Sequence, residues 1–123
     1  VTTLLMGDYE SCDDIAGKLA ADYSEPAEVV NAFDILAAGY WPGSYCGTGW
    51  LLLRDKATGA LHENTASHCS CYGVEGQWNP SETTTTYLLS DHFPMRDAHD
   101  YDDYSKADAA AIRALVESLA VPS

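Results

Sequence analysis

The chain has 123 residues, with 19 acidic side chains against 6 basic ones and a formal net charge of −13 at pH 7. This length predicts one domain, spanning residues 1–123, that is large enough to bury a hydrophobic core. A negative field of this size repels phosphate groups within a Debye length of ~8 Å. The composition therefore disfavours direct binding to nucleic acid or to an anionic membrane surface, and it favours a basic protein as the partner.

Hydropathy and cysteine content indicate the compartment. No run of residues approaches the ~20 apolar positions that a membrane span requires, and residues 1–6 lack the basic region of a signal peptide. A hydrophobic fraction of 46% removes the need for disulfides among the four cysteines. We therefore expect a cytoplasmic protein with reduced thiols, and electrostatic self-repulsion slightly favours a monomer.

Two helices are predicted in the N-terminal third of the chain. Ser11 and Asp14 have the spacing of a capping box, and apolar residues at helical spacing follow them as far as Tyr23. Pro26 suits the first turn of a second helix, whose apolar stripe should end near Gly39. The outer face of this helix pair is acidic, with Asp13, Asp22, Glu25, Glu28 and Asp34.

The middle of the chain predicts a β-hairpin. Residues 49–54 form a nearly continuous apolar run, which is typical of a strand buried on both faces. Residues 55–59 form a turn in which Gly59 most needs a positive φ, and residues 60–67 form the returning strand. A third short strand is predicted near residues 44–46. Alternation along the returning strand places four residues on a common face: His62, Asn64, Ala66 and His68.

Two further helices are predicted after the hairpin. Asn79 as N-cap, with Pro80 at the first helical position, predicts a helix that ends near Ser90. Residues 91–104 form an acidic connection, and Ser105 caps a last helix with an apolar stripe. The predicted fold class is therefore α+β, with a central antiparallel β-hairpin packed against an N-terminal helix pair and two C-terminal helices.

The turn after the hairpin has the sequence His68-Cys69-Ser70-Cys71-Tyr72-Gly73. Together with the hairpin and with residues 75–84, this motif resembles a family of small, largely uncharacterised bacteriophage proteins. The resemblance covers residues 44–84, which is about a third of the chain. It implies a phage origin and a location in the cytoplasm of the infected bacterial host, and it brings no established activity with it.

Three soft ligands in this turn form a candidate zinc site: His68, Cys69 and Cys71. A fourth ligand would come from elsewhere in the chain, and the candidates are Cys12, Cys46, His92 and His99. Structural zinc sites usually draw paired cysteines from two separate turns, whereas this chain has a single Cys-x-Cys. The alternative is that the two thiols pack as small apolar groups and that the turn is architectural.

A cysteine-dependent enzyme is a third hypothesis for the same turn. His62, His68 or His92 would serve as the base for a nucleophilic thiol. The negative field disfavours the thiolate form, and neither a papain-like nor a Cys-x-x-Cys signature is present. We therefore do not expect an enzyme.

The predicted function is protein–protein binding, as a host-takeover or anti-defence inhibitor whose partner is a basic host or phage protein. In one form of this hypothesis, rows of carboxylates imitate the phosphates of a DNA duplex and occupy a basic cleft. No cofactor is expected, and a zinc-binding interaction module is the alternative. The predicted contact residues are three carboxylates and three exposed aromatic side chains: Asp13, Asp14, Asp22, Trp41, Tyr45 and Trp78.

Overall fold

A five-stranded mixed sheet forms the centre of the protein in this computed structural model, which describes residues 3–42, 46–69, 73–89 and 106–120. The strands are β1 (Leu4–Gly7), β2 (Phe33–Pro42), β3 (Cys46–Asp55), β4 (Leu61–Cys69) and β5 (Ser81–Glu82). Their order in the sheet is the order in the chain. β1 pairs in parallel with β2, and every other pair of neighbours is antiparallel.

Helices cover both faces of this sheet. Those in the described residues are α1 (Ile15–Asp22), α2 (Ala27–Val30), α3 (Thr85–Leu88) and α4 (Lys106–Ala120). α1 and α2 lie in the crossover between the parallel strands β1 and β2, while α3 and α4 pack against the opposite face. The predicted α+β class is confirmed. None of these helices has the length and apolar character needed to cross a membrane.

β3 is buried on both faces. Trp50 and Leu52 pack into the core beneath α3 and α4, whereas Leu51 and Leu53 pack into the core beneath α1 and α2. All four side chains are 0% exposed. A strand covered on both sides shows no alternation of polar and apolar positions, which is why its sequence is a continuous apolar run. The prediction of a doubly buried strand at residues 49–54 is confirmed.

The β-hairpin between β3 and β4 is confirmed as well. The Asp55 carboxylate accepts hydrogen bonds from the backbone N–H groups of Ala57 and Thr58, at 2.8 and 3.3 Å. Gly59 has φ +78°, the left-handed conformation that the turn requires. The alternation predicted for β4 is also found, because one face of the sheet carries His62, Asn64, Ala66 and His68.

The second predicted helix is wrong. Only Ala27–Val30 is helical, and Phe33–Pro42 is strand β2. The register of β2 against β3 shifts between Ile35 and Ala37, a β-bulge that leaves the consecutive residues Leu36 and Ala37 in the same core. The apolar stripe of the predicted helix mixes residues from both faces of β2, because Phe33 packs against the core beneath α1 and α2 whereas Leu36 and Ala37 lie in the opposite core. Taken together, these positions have three- and four-residue spacing, which imitates a helix.

The ends of the other N-terminal elements also differ from the prediction. α1 begins at Ile15, because its N-cap is Asp14 and not Ser11, and the Asp14 carboxylate accepts a hydrogen bond from the Gly17 N–H at 3.1 Å. The strand before the hairpin is β2. Of the third strand predicted at residues 44–46, only Cys46 belongs to the described residues, and it opens β3.

The helix predicted from Asn79 is shorter and starts later. It is the single turn α3, with Thr84 as its N-cap, and Ser81–Glu82 is strand β5. The Asn79 N–H donates to the Oδ1 atom of Asn64 on β4, so the chain here runs beside the sheet before it turns into a helix. The last predicted helix is confirmed as α4, and its predicted cap at Ser105 lies outside the described residues.

Candidate functional site

Three strands end at the same edge of the sheet. β1, β2 and β4 run in one direction, because β3 is antiparallel to both of its neighbours and β1 is parallel to β2. We call the edge where these strands end the carboxyl edge; Asp8, Tyr40 and His68 lie at or near those strand ends. In open sheets that contain parallel strands, ligands commonly bind at such an edge.

A cavity of about 310 Å³ opens at the carboxyl edge. Its walls come from the loop after β1, from α1, from β2 and from the segment after the cysteine turn. Three carboxylates and one ammonium group lie among its lining residues, which are Asp8, Lys18, Ala21, Asp22, Tyr40, Gly73, Val74 and Glu75. This clustering of titratable side chains makes the cavity the candidate functional site.

A larger cavity of about 530 Å³ lies beside β5. Hydroxyl and amide side chains dominate its lining, and its carboxylates are Glu63 and Glu82. Glu63 accepts a hydrogen bond from the indole Nε1 of the buried Trp50 at 2.6 Å, which gives this carboxylate a structural role. The cavity at the carboxyl edge is therefore the better candidate for a functional site, although it is the smaller of the two, because its lining contains more titratable side chains.

Asp22 is held in place by two neighbours. The Tyr9 hydroxyl donates to Asp22 Oδ2 at 3.0 Å, and the Lys18 ammonium lies 3.2 Å from Asp22 Oδ1. Tyr9 is 0% exposed, and its burial, together with the nearby Tyr23 and Asp22, raises the pKa of Tyr9 far above its ordinary value. The phenol therefore stays protonated at neutral pH and remains a donor to the carboxylate.

The side chains of Tyr40 on β2 and His68 on β4 meet across β3, where their register partners are the glycines Gly49 and Gly47. The Tyr40 hydroxyl and His68 Nε2 are 2.5 Å apart, and the two ring centroids are 5.6 Å apart. A Cβ atom at Gly47 would clash with the His68 imidazole, so glycine leaves room for this ring. Burial and then the carboxylates of the cavity raise the pKa of Tyr40, so its phenol is neutral at pH 7.

Glu75 is exposed and ionised. Its carboxylate accepts a hydrogen bond from the Gly73 N–H at 3.0 Å, and backbone N–H groups lower the pKa of Glu75. Glu75 therefore adds a full negative charge to the rim of the cavity at neutral pH.

The segment after the cysteine turn is fixed to the sheet by side chains. The Gln77 amide exchanges two hydrogen bonds with the Ser67 backbone, at 2.9 and 2.7 Å, in the way that a neighbouring strand would. Asn64 is 1% exposed, and it binds the Gln77 carbonyl at 3.2 Å and the Asn79 N–H. Glu75 is thus carried by an anchored segment.

The Tyr23 hydroxyl is buried close to the site. Tyr23 is 0% exposed, and its hydroxyl makes no hydrogen bond with the residues that the structure describes. Burial and the charge of Asp22 raise its pKa, while the nearby Asn64 amide acts in the opposite direction without meeting hydrogen-bond geometry. Tyr23 does not line the cavity, and its ring packs edge-on against Trp78 at 5.8 Å.

The six predicted contact residues do not form one surface in the structure. Asp13 and Asp14 are exposed in the connection from β1 to α1, and Asp22 lines the cavity. The expected exposure of Trp41 is wrong, because it is 3% exposed and its indole Nε1 donates to Asp108 of α4 at 2.9 Å. Trp78 is only half-exposed, since its ring contacts those of Tyr23 and Phe33, and Tyr45 lies outside the described residues.

The predicted zinc site stays a prediction. No group of three or more potential metal ligands occurs in the described parts of the chain. His68 contacts Tyr40, the backbone of Cys69 ends β4, and Cys71 lies outside the described residues, as do His92 and His99. Of the other two candidate fourth ligands, Cys12 is a free thiol, and Cys46 faces Cys69 in the β3–β4 register.

The sequence analysis does not identify four of the polar side chains that line the cavity: Asp8, Lys18, Tyr40 and Glu75. Asp8 directly follows β1, and a carboxylate after a strand would have been a usable signal if residues 4–7 had been recognised as a strand. The predicted second helix ends near Gly39, so the sequence indicates no element at Tyr40. Only the strand assignment of β2 brings it to the carboxyl edge.

Comparison with known proteins adds no relative: no family model, curated protein or solved structure matches the chain.

Proposed function

We propose that the protein binds a basic protein partner, host or phage, through a surface at the carboxyl edge of the sheet. This acidic surface consists of the carboxylates in residues 8–14 and those of the adjoining cavity: Asp8, Glu10, Asp13, Asp14, Asp22 and Glu75. The observation that carries the proposal is that Asp8, Asp22 and Glu75 line a cavity whose one basic lining residue is Lys18. The other three carboxylates are exposed in the segment that directly follows Asp8.

The charges of this surface are exposed and ordered. Asp8, Glu10, Asp13 and Asp14 are all exposed, and Asp8 is positioned by the hydrogen bond from its backbone N–H to the Tyr40 carbonyl at 2.8 Å. The cap at Asp14 and the Tyr9 contact at Asp22 hold two further carboxylates. A preordered charge pattern steers an oppositely charged partner and loses little entropy on binding.

Tyr40 supplies the aromatic contact in place of Trp41 and Trp78. Its ring is half-buried, and Tyr40 lines the cavity together with Asp8 and Asp22. A lysine or arginine side chain of the partner would enter the 310 Å³ cavity, pair with these carboxylates and lie against the ring. The proposal therefore assigns the cavity to a cationic side chain of the partner.

The resemblance of residues 44–84 to bacteriophage proteins favours a host-takeover or anti-defence role for this binding. A partner whose basic surface normally binds nucleic acid would fit an acidic surface that imitates a duplex. Competition by duplex DNA for the same partner would support this form of the proposal. Binding that is indifferent to DNA would leave protein binding in place and remove the mimicry.

Charge reversal tests the proposal. The triple variant Asp8→Lys, Glu10→Lys, Asp13→Lys changes exposed carboxylates that accept no side-chain hydrogen bond from the described residues. Immobilised protein captures partners from a bacterial lysate, the captured protein is identified and purified, and calorimetry gives its Kd at low and physiological salt. We expect the variant to bind at least about tenfold more weakly, because the pairing charges are lost.

A second triple variant is the matched control. Glu28→Lys, Asp34→Lys and Glu117→Lys change the net charge by the same amount at exposed positions outside the acidic surface. Its affinity should remain within about twofold of the wild-type value at physiological salt, where distant charges are screened. If both variants bind equally weakly, the loss of affinity reflects net charge and not the acidic surface. If the first variant binds as tightly as the wild type, the proposal is refuted.

A further inference from the structure

Two of the four cysteines occupy facing positions on neighbouring strands. Cys46 is the first residue of β3 and Cys69 is the last residue of β4, and the register pairs them directly. The pairing runs without a shift from this end of the ladder to Arg54 and Leu61 at the other. The position of the two cysteines is thus fixed by the whole antiparallel ladder.

The hydrogen-bond pattern identifies the type of pair. The Leu61 carbonyl accepts from Thr83 N–H at 2.9 Å, on the side of β4 away from β3. The backbone of Ser67 likewise bonds outward, to Gln77. Backbone direction alternates along a strand, and Cys69 lies an even number of residues from both, so its polar groups also face away from β3. Cys46 and Cys69 are therefore a non-hydrogen-bonded pair.

Such a pair suits a disulfide. Directly opposite residues at non-hydrogen-bonded positions have Cα atoms about 4.5 Å apart and share one face of the sheet. Disulfides span Cα distances of about 4.4–6.8 Å. The competing bridge from Cys69 to Cys71 would close over a single residue and would be strained. We infer that Cys46 and Cys69 form an intramolecular disulfide when a small-molecule disulfide such as oxidised glutathione is present.

The reaction is thiol–disulfide exchange in two steps. The thiolate of one cysteine attacks a sulfur of oxidised glutathione, which forms a mixed disulfide and releases one glutathione thiolate. The second cysteine attacks the protein sulfur of the mixed disulfide and releases the other glutathione. The two protein thiols lose two electrons and two protons in total, and the small disulfide gains them as two thiols.

This disulfide is distinct from the zinc hypothesis and competes with it. A Cys69 sulfur bonded to Cys46 is no longer a thiolate and cannot ligate zinc as one. The protein would then carry an oxidisable pair at the carboxyl edge of the sheet, where β4 ends. The inference does not rest on the proposed binding function, since it needs no partner.

Peptide mapping tests the inference on the full chain. The protein is incubated with oxidised glutathione, free thiols are alkylated, and proteolytic peptides are sequenced by mass spectrometry without reduction. We expect one crosslinked peptide pair that joins Cys46 to Cys69, with Cys12 and Cys71 alkylated. A Cys69–Cys71 link, glutathione retained on either strand cysteine, or alkylation of both would overturn the inference.

Thermal unfolding provides the second readout. Closing the loop between residues 46 and 69 should raise the Tm of the oxidised protein by about 10 °C relative to the reduced protein. Cys46→Ser and Cys69→Ser should abolish this difference, whereas the matched controls Cys12→Ser and Cys71→Ser should retain it. If a strand variant fails to fold, the wild-type peptide map still decides, because it requires no substitution.

Discussion

At the residue scale, buried polar side chains do most to fix the carboxyl edge. Asn64 is 1% exposed on β4 and satisfies both a carbonyl and an N–H of the segment that follows the cysteine turn. Tyr9 is 0% exposed and donates to Asp22 at the cavity. Asn64 pairs with two backbone groups and Tyr9 with one carboxylate, so an apolar replacement of either residue would leave its partners without these hydrogen bonds.

Replacing Asn64 should destabilise the protein and loosen this segment. Asn64→Ala leaves the Gln77 carbonyl and the Asn79 N–H without their side-chain partner, and we expect a loss of about 2–3 kcal/mol in the free energy of unfolding. Urea denaturation measures this loss. The exposed neighbour Thr65 provides the control, since Thr65→Ala should change the free energy by less than about 0.5 kcal/mol. Equal effects at the two positions would contradict the structural role of Asn64.

At the element scale, the sequence predicts the hairpin and the last helix well, and it fails at β2. The hairpin prediction rests on a doubly buried apolar run and on the turn at Gly59, and both signals are local. The prediction fails at β2 because both faces of this strand carry apolar residues, which together occur at helical spacing. Residues 33–42 form a strand because they pair with β1 and β3. The parallel pairing with β1 joins two segments that are distant in the sequence, so neither segment reveals it locally.

The candidate site was predictable only in part, for the same reason. Asp22 lies in the first helix, as the sequence predicts, yet its contacts with Tyr9 and with the cavity depend on the βαβ crossover. Trp41 is predicted to be an exposed aromatic contact for the partner, and this prediction is wrong. As a residue of β2, it points into the core against α4.

Substitutions at the N-cap of α1 should distinguish stabilisation by the capping hydrogen bond from stabilisation by the negative charge of Asp14. Asp14→Ala removes the cap hydrogen bond to the Gly17 N–H and should cost about 1 kcal/mol of stability. Asp14→Ser keeps a capping oxygen and should recover most of this loss while it removes the same charge. Asp13→Ala, one residue earlier and exposed, is the control and should be nearly neutral. If Ser and Ala behave alike at position 14, charge and not capping stabilises the helix.

At the scale of the whole molecule, the sheet divides two apolar cores whose polar content differs. The core beneath α3 and α4 is built on Trp41, Trp50 and aliphatic side chains. The core beneath α1 and α2 contains the buried phenols Tyr9 and Tyr23, and Tyr40 packs at its border. The acidic surface overlies this second core. Because these phenols are buried, the free energy of unfolding should depend on pH in the range where tyrosine ionises.

The protein should lose stability in alkali above about pH 10. Burial raises the folded-state pKa values of Tyr9 and Tyr23, whereas tyrosine in an unfolded chain ionises near 10. Below pH 10 both states hold these protons, and the contribution to stability is complete. Above it the unfolded state gives up protons that the folded state retains, so each phenol lowers the free energy of unfolding by up to about 1.4 kcal/mol per pH unit.

Tyr9→Phe makes this pH dependence specific to a residue. The variant should be less stable than wild type at pH 7, because Asp22 loses the Tyr9 hydroxyl, yet its stability should fall less steeply between pH 10 and 11. Urea denaturation at intervals from pH 7 to pH 11 measures both effects, and the range from pH 7 to 9 is the internal control because no phenol ionises there. Identical slopes for the two proteins above pH 10 would mean that Tyr9 titrates alike in the folded and unfolded chain. Its burial beneath α1 would then not persist in solution.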